Sequence, residues 1–202
     1  MAFSASDPPG MYLPAGIRRL KLLIAGPFAV GKTTFVKSLS EIPVLTTEEV
    51  MTQAGAVVDH LPGASGKTTT TVGLDFGRLT LNPTLVLYLF GTPGQDRFAP
   101  LWQDIAIGAL GAVVLVDTSR LQDSFAVMDR LEQLGLPYAV AINRFDGAPR
   151  HSDNAVRAAL DLLPDTPLLT CDARDRASSV RVLIALIEHL HANTLHSHRE
   201  PV

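Results

Sequence analysis

The eight residues Gly26-Pro-Phe-Ala-Val-Gly31-Lys32-Thr33 stand between a short apolar run, residues 20–25, and a stretch of helical composition, residues 33–39. The spacing is G-x-x-x-x-G-K-T, and the flanks are those of a strand that enters a tight loop and leaves as a helix. Few local patterns constrain a fold more. The glycines let backbone N–H groups turn inward around an anion. The helix directs its positive end at the same point. Lys32 supplies a mobile point charge for the outer phosphates, and the Thr33 hydroxyl is a hard oxygen ligand suited to Mg²⁺. A glycine-rich turn with a surface lysine would need neither the full spacing nor these flanks. The expected phosphate cradle comprises Gly26, Phe28, Ala29, Val30, Gly31, Lys32, Thr33 and Thr34.

The tetrapeptide Gly-Lys-Thr-Thr recurs at Gly66-Lys67-Thr68-Thr69, in a different setting. Five residues before Gly66 stands Leu61, no strand pattern precedes it, and the following residues 71–81 alternate as a strand. This copy reads as an exposed loop. Past it, apolar runs and helical patterns alternate along the chain. Strands are expected at 20–25, 71–81, 84–90, 112–116, 138–142 and 167–170, and helices at 33–39, 121–134, 154–163 and 178–190. A further short helix is expected in TTEEVMTQA behind a cap at Thr46 or Thr47. Asn82-Pro83 makes the second and third strands a hairpin. This order predicts an α/β fold: a mostly parallel six-stranded sheet with one antiparallel strand and helices on both faces. Ligands of such sheets lie beyond the carboxyl ends of the strands, here the loops after residues 25, 90, 116, 142 and 170.

Two of those loops carry base-recognition chemistry. Asn143-Arg144-Phe145-Asp146 has the form N-[KR]-x-D. A carboxylate at Asp146 can accept from both N1–H and the exocyclic amine of guanine, a pair that adenine lacks. Cys171, Asp172 and Ala173 can close over the base edge through backbone N–H groups. The loop Gly91-Thr-Pro-Gly94-Gln95-Asp-Arg97-Phe98 can bring the Gln95 amide and the Gly94 N–H to a terminal phosphate and its attacking water.

The series GPFAVGKT, TVGLDF, GTPGQDRF, NRFD and TCDA resembles the five nucleotide loops of Ras-like small GTPases, in order, over about residues 20–190. The resemblance implies a P-loop NTPase of Ras-like form (a G domain over 17–192), with a flexible arm at 1–16 and a flexible tail at 193–202. It implies GTP and GDP as ligands, Mg²⁺ as cofactor held by Thr33 and Thr71, and slow GTP hydrolysis carried by Gln95, Lys32 and Thr71. Thr70 is the alternative to Thr71 in that run of threonines. Within the superfamily the chain is most similar to the bacterial members: the gliding-polarity GTPases and, above all, the conservon-encoded ATP/GTP-binding proteins of actinobacteria. That similarity implies a cytoplasmic molecular switch, recruited to the membrane through a sensor-kinase-like partner and regulated by a roadblock/LC7-type protein.

Departures from the family pattern set further expectations. Gly91 stands where an aspartate steadies Mg²⁺; Asp75 or Asp117 could serve instead through water, or the metal is held more weakly. Arg144 replaces the usual lysine and can lie flat along base and P-loop. Residues 41–66 lengthen the run-up to the first switch, as a longer loop or a partner surface. Arg97 and Arg78 are the arginines nearest the switches in sequence. Two other classes stay open: a nucleotide-binding adaptor with little hydrolysis, and a P-loop ATPase or kinase, against which Asp146 speaks.

Composition agrees with a single domain. Of 202 residues 47% are apolar, and the net charge of −3 favours neither nucleic acid nor an anionic membrane. Cys171 has no partner for an internal disulfide, which fits a reducing compartment. The most apolar stretch, residues 105–116, is shorter than the ~20 residues of a membrane helix, so no direct membrane insertion is expected. The histidines near the end, His189, His191, His196 and His198, read as a solvated tail.

Overall fold

The computed structural model describes residues 16–50, 69–94, 98 and 101–197. Seven strands form one sheet: β1 (Arg18–Ala25), β2 (Leu45–Val50), β3 (Thr69–Asn82), β4 (Leu85–Gly91), β5 (Ala109–Val116), β6 (Tyr138–Asn143) and β7 (Leu168–Cys171). Their order across the sheet is β2-β3-β4-β1-β5-β6-β7. β1 pairs in parallel with both β4 and β5, β5 with β6, and β6 with β7. β3 runs antiparallel to its neighbours β2 and β4. The six expected strands are all present, one of them antiparallel, and β2 adds a seventh at the edge.

The α-helices are α1 (Lys32–Leu39), α2 (Leu101–Ala106), α3 (Phe125–Gln133), α4 (Asp153–Ala159) and α5 (Arg176–Ser197), with a 3₁₀ turn over Leu121–Ser124 leading into α3. α5 continues through Ser197, into the stretch read from sequence as tail. α4 stops at Ala159, and Asp161 follows with a left-handed φ of 50°.

Both sheet faces are buried, which explains why the second half of β1, residues 22–25, and β5 are apolar runs without alternation. Leu22, Ile24, Leu87, Leu89, Val113 and Leu115 face α1 and α5, where Phe35, Val36, Leu39, Val182, Leu183 and Leu186 close the layer. Leu23, Ala25, Val114, Val116, Val140 and Ile142 face the other way, onto Trp102 and Ile105 of α2, Val127, Met128 and Leu131 of α3, and Val156. Each such side chain contributes about 1.5–3 kcal/mol by leaving water. Trp102 is 1% exposed, with the Arg130 guanidinium 5.2 Å from its ring centre.

The helix expected in TTEEVMTQA is overturned. Leu45–Val50 is strand β2, paired as Leu45↔Phe76, Thr46↔Asp75, Thr47↔Leu74, Glu49↔Thr70 and Val50↔Thr69. A nine-residue helical segment without tertiary support is marginal. The long β3 instead offers an open row of N–H and C=O groups, and Thr46, Thr47 and Val50 are β-branched and suit a pleated strand. Residues 51–54 of that stretch lie outside the described residues.

The end of α1 is fastened to β3. Ser40 Oγ donates to the Ile42 carbonyl at 2.7 Å and accepts from Arg78 N at 3.2 Å, while the Arg78 guanidinium pairs with Glu41 at 2.8 Å. The approach depends on Gly77, where an added Cβ would fall 2.7 Å from Val36 Cγ1 and 3.1 Å from Ser40 Cβ. Val36 is fully buried and has no room to yield. Gly77→Ala is therefore expected to destabilise the fold by about 1–3 kcal/mol in urea unfolding; an unchanged midpoint would mean that α1 does not lie this close to β3.

Candidate functional site

β1 ends at Ala25 and the chain turns at once. Gly26 has φ 141° and Gly31 φ 103°, values that side-chain-bearing residues rarely adopt. Space closes the same two positions: a Cβ on Gly26 would meet the Leu115 carbonyl oxygen at 2.5 Å, and one on Gly31 would meet Asn143 Nδ2 at 2.6 Å. Ala29 also takes a left-handed φ of 61°. Gly31 caps α1, and its carbonyl accepts from Phe35 N at 2.9 Å. The loop so formed opens on a cleft of about 380 Å³ lined by Phe28, Ala29, Gly31, Lys32, Thr33 and Thr34, with Asp75, Gly94 and Phe98 opposite.

Lys32 Nζ lies at the end of this cleft, donating to the carbonyls of Gly26 at 2.9 Å and Pro27 at 2.8 Å. Burial lowers its pKa from the ordinary lysine value to about 8; the Asp75 charge works against this shift and the Arg120 charge adds to it. Gly94 is pressed close, since a Cβ there would fall 2.6 Å from Lys32 Nζ and 2.8 Å from Phe28 N.

Asp75, 2% exposed, accepts the Thr33 hydroxyl at 2.5 Å. It stands directly across the β3–β4 ladder from Gly91. A Cβ on Gly91 would come within 3.0 Å of Asp75 Cβ and 3.1 Å of Oδ2. The Asp75 side chain thus occupies the space that a side chain at position 91 would need. Asp117 is committed elsewhere: it accepts from Ser119 N at 2.9 Å, Ser119 Oγ at 2.7 Å and Arg120 Nε at 3.3 Å, within its own turn.

The base side is joined to the cradle by one amide. Asn143 Nδ2 donates to the Val30 carbonyl at 2.9 Å, and its Oδ1 accepts from Ala173 N at 3.0 Å. Arg144 N donates to the Cys171 carbonyl at 2.8 Å. A second cleft, of about 490 Å³, lies along Asn143, Arg144, Asp146, Asp172 and Arg174. The Asp146 side chain is 98% exposed, with the Arg174 guanidinium 3.9 Å away. Asp172 grips that guanidinium through two bonds of 2.9 Å, which holds its carboxyl below the usual range. Cys171 contributes backbone only: its thiol faces the core, where burial pushes its pKa up to about 12.

The structure therefore gathers Gly26, Phe28, Ala29, Gly31, Lys32, Thr33, Thr34 and Gly94 around one cleft, ties Val30, Asn143 and Ala173 together, and sets Arg144, Asp146 and Asp172 along the next. Thr70 and Thr71 lie within β3. Gln95 and Arg97 lie outside the described residues. Arg120 was not singled out from sequence; its Nη2 donates to the Phe28 carbonyl at 2.8 Å, a contact spanning 92 residues that no local pattern signals.

The family model described as "conserved hypothetical ATP binding protein" matches residues 24–193. An uncharacterized protein of Methanocaldococcus jannaschii, MJ1339, is 28% identical over 129 residues, covering 63% of this chain and 71% of that protein. Among solved structures, the translation elongation factor SelB of Methanococcus maripaludis, in complex with the GTP analogue GppNHp, is similar with a TM-score of 0.60 at 19% identity. The match covers 88% of this chain and 34% of SelB, so the chain spans about a third of that factor's length. The Arl6 small GTPase of Trypanosoma brucei, with a bound nucleotide analogue, gives a TM-score of 0.59 at 15% identity over 87% of this chain and 99% of that one. The G domain of the T. maritima FeoB iron transporter gives 0.55 at 17% identity, over 85% and 99%. At these identities the likeness is one of fold: an α/β P-loop domain of GTPase form.

A nucleotide whose phosphates lie against Lys32 would bind in a pH-dependent way. The Lys32 ammonium loses its proton near pH 8 in the protein alone, and a polyphosphate beside it raises that pKa again. Affinity is then level below about pH 8 and falls as the pH rises above it, with proton uptake on binding. Calorimetry of GDP binding at about pH 8.5, in buffers of different ionisation heat, should show uptake of more than half a proton; no uptake would place Lys32 away from the phosphates.

Proposed function

The chain belongs to the family of conserved hypothetical ATP-binding proteins, and we propose that the nucleotide it takes is guanine-based: a GTP/GDP switch that hydrolyses GTP slowly. The observation that carries this is the Asn143 side chain, which holds the Val30 carbonyl and the Ala173 amide at once. It puts the turn bearing Asp146 beside the phosphate loop, where a carboxylate can take both donors of a guanine edge. Adenine would leave it unpaired.

In the protein proposed here, the amides of 26–33 and the Lys32 ammonium bind the phosphates. Arg144 lies along the base, and the backbone of 171–173 closes over its edge. The oxygen ligands where α1 meets the middle of β3 fit a hard divalent ion. Thr33 Oγ1 and Asp75 Oδ2 are 2.5 Å apart, both are oxygen ligands, and the missing Cβ at Gly91 leaves the carboxylate its place. Thr33, with Asp75 behind it and Thr71 from β3, would hold Mg²⁺, which when bound neutralises charge on the β- and γ-phosphates. Gln95 orients the attacking water, and Thr71 and Gly94 bond the γ-phosphate, so their loops order with GTP and relax after its loss. Turnover without a partner is slow, on the order of 10⁻⁴–10⁻² s⁻¹. A roadblock/LC7-type regulator and a sensor-kinase-like membrane protein are the proposed partners, reading the ordered loops on the cytoplasmic side of a membrane. No helix among the described residues is long and apolar enough to cross one.

Competition of GDP against ADP tests the base, and Asp146→Asn tests its reader. The variant should lose GDP affinity by roughly 10–100-fold, the cost of leaving ~1–3 kcal/mol of polar groups unpaired. It should gain xanthosine diphosphate, whose C2 carbonyl accepts from the new amide. ADP binding as tight as GDP, or an unchanged preference in the variant, would remove the guanine assignment.

Asp75→Asn should weaken Mg²⁺ in the GDP complex by roughly 10–100-fold with little change in metal-free GDP binding; equal Mg²⁺ affinity would return the metal's support to another group. Phosphate release in a single turnover, with and without a roadblock-type protein, separates the switch from an adaptor that does not hydrolyse.

A further inference from the structure

The turn that follows β5 aims a cation at the phosphate loop. Arg120 N donates to the Asp117 carbonyl at 3.1 Å, and its Nε reaches Asp117 Oδ2 at 3.3 Å. Asp123 flanks the guanidinium at 3.9 Å. Asp117, itself buried and fixed by Ser119, makes a rigid base for this side chain. From there Arg120 Nη2 donates to the Phe28 carbonyl at 2.8 Å, while the side chain stays 32% exposed. A guanidinium has five N–H donors, and the partners named here are too few to engage them all.

Phe28 marks one end of the cleft. Its backbone, Lys32 Nζ and Gly94 crowd together there, and Lys32 is the group that reaches the outermost phosphates. The Arg120 charge is near enough to act on Lys32. Lys32 and Arg120 are each held on a backbone carbonyl of the phosphate loop, with Asp117 and Asp123 beside the guanidinium and the Asp75 charge acting on Lys32. The Phe28 side chain is 62% exposed. Four other arginines among the described residues are engaged elsewhere: Arg78 with Glu41, Arg174 with Asp172, Arg157 with the carbonyls of Leu163 and Thr166, Arg176 with those of Ser38 and Leu39.

We propose that Arg120 is the arginine of the hydrolytic site, supplied by the chain itself from the loop after β5, and that it stabilises charge on the transferring γ-phosphoryl group. This rests on the GTPase assignment above. Water oxygen bonds to the γ-phosphorus as the bond to the β–γ bridging oxygen breaks. The electron pair stays on the GDP β-phosphate, and the water's proton leaves with inorganic phosphate. The guanidinium neutralises charge on the oxygens that carry it in transit.

The test measures GDP affinity, single-turnover GTP hydrolysis and capture of aluminium fluoride by the Mg–GDP protein, for wild type, Arg120→Lys and Arg120→Ala, without any partner. Both variants should keep GDP affinity within about threefold. Hydrolysis should fall about 10²-fold, from the ~10⁻² s⁻¹ of a GTPase with its arginine in cis towards the ~10⁻⁴ s⁻¹ of one without. Wild type should bind aluminium fluoride alone, and the variants should not. Parallel loss of GDP affinity and hydrolysis would make Arg120 a latch on the Phe28 carbonyl and overturn the proposal, as would unchanged hydrolysis. Wild type that binds GDP but neither releases phosphate nor takes up aluminium fluoride would overturn it and leave nucleotide binding standing; wild type that binds no GDP would overturn both.

Discussion

One side-chain amide holds the site together. Asn143 donates to the phosphate loop at Val30 and accepts from the last loop at Ala173. These three segments leave different strands, β1, β6 and β7, and reach the same edge of the sheet. Without the amide they would be three turns with separate mobilities. With it, and with Gly31 closed against the same Asn143 nitrogen, the distance between the phosphate cradle and the base reader is fixed by covalent geometry and two hydrogen bonds. Asn143 is almost fully buried, so both bonds act where an unpaired polar group would be costly.

The sheet exists to hold those turns in register. Residues 22–25 of β1 and 111–116 of β5 are buried on both faces, so apolar alternation does not set their register. Close approaches do the work instead. Gly26 against Leu115, Gly77 against α1 and Gly111 against Pro137 and Leu190 each leave room for a hydrogen and not for a methyl. The result is a rigid frame around a cleft in which Lys32 is held by two carbonyls and Asp75 by a threonine.

Much of this was legible in the residues. The P-loop declared itself because its spacing and both flanks are local. The strands showed as apolar runs, and the Asn82-Pro83 turn marked the hairpin. What failed was non-local or quantitative. β2 was read as a helix because TTEEV lacks strand alternation, and only the open edge of β3 makes it a strand. Asp75 and Asp117 stood as equal candidates because which acid faces Gly91 is decided by strand pairing, Asp75↔Gly91, and not by any local pattern. Cys171 was expected at the base edge through its backbone, and alternation along β7 turns its thiol into the core. Arg120 escaped notice because its partner, Phe28, lies in another part of the chain.

The central claim is that a guanine nucleotide spans the two clefts joined by Asn143. A crystal structure of the protein with Mg–GDP tests it most directly. The account predicts phosphates within hydrogen-bond reach of the amides of 26–33, Lys32 Nζ moved from the Gly26 and Pro27 carbonyls onto the β-phosphate, and the guanine edge on Asp146. A nucleotide bound elsewhere, or a diphosphate in the cleft with Lys32 still on those carbonyls and the base clear of Asp146, would contradict it.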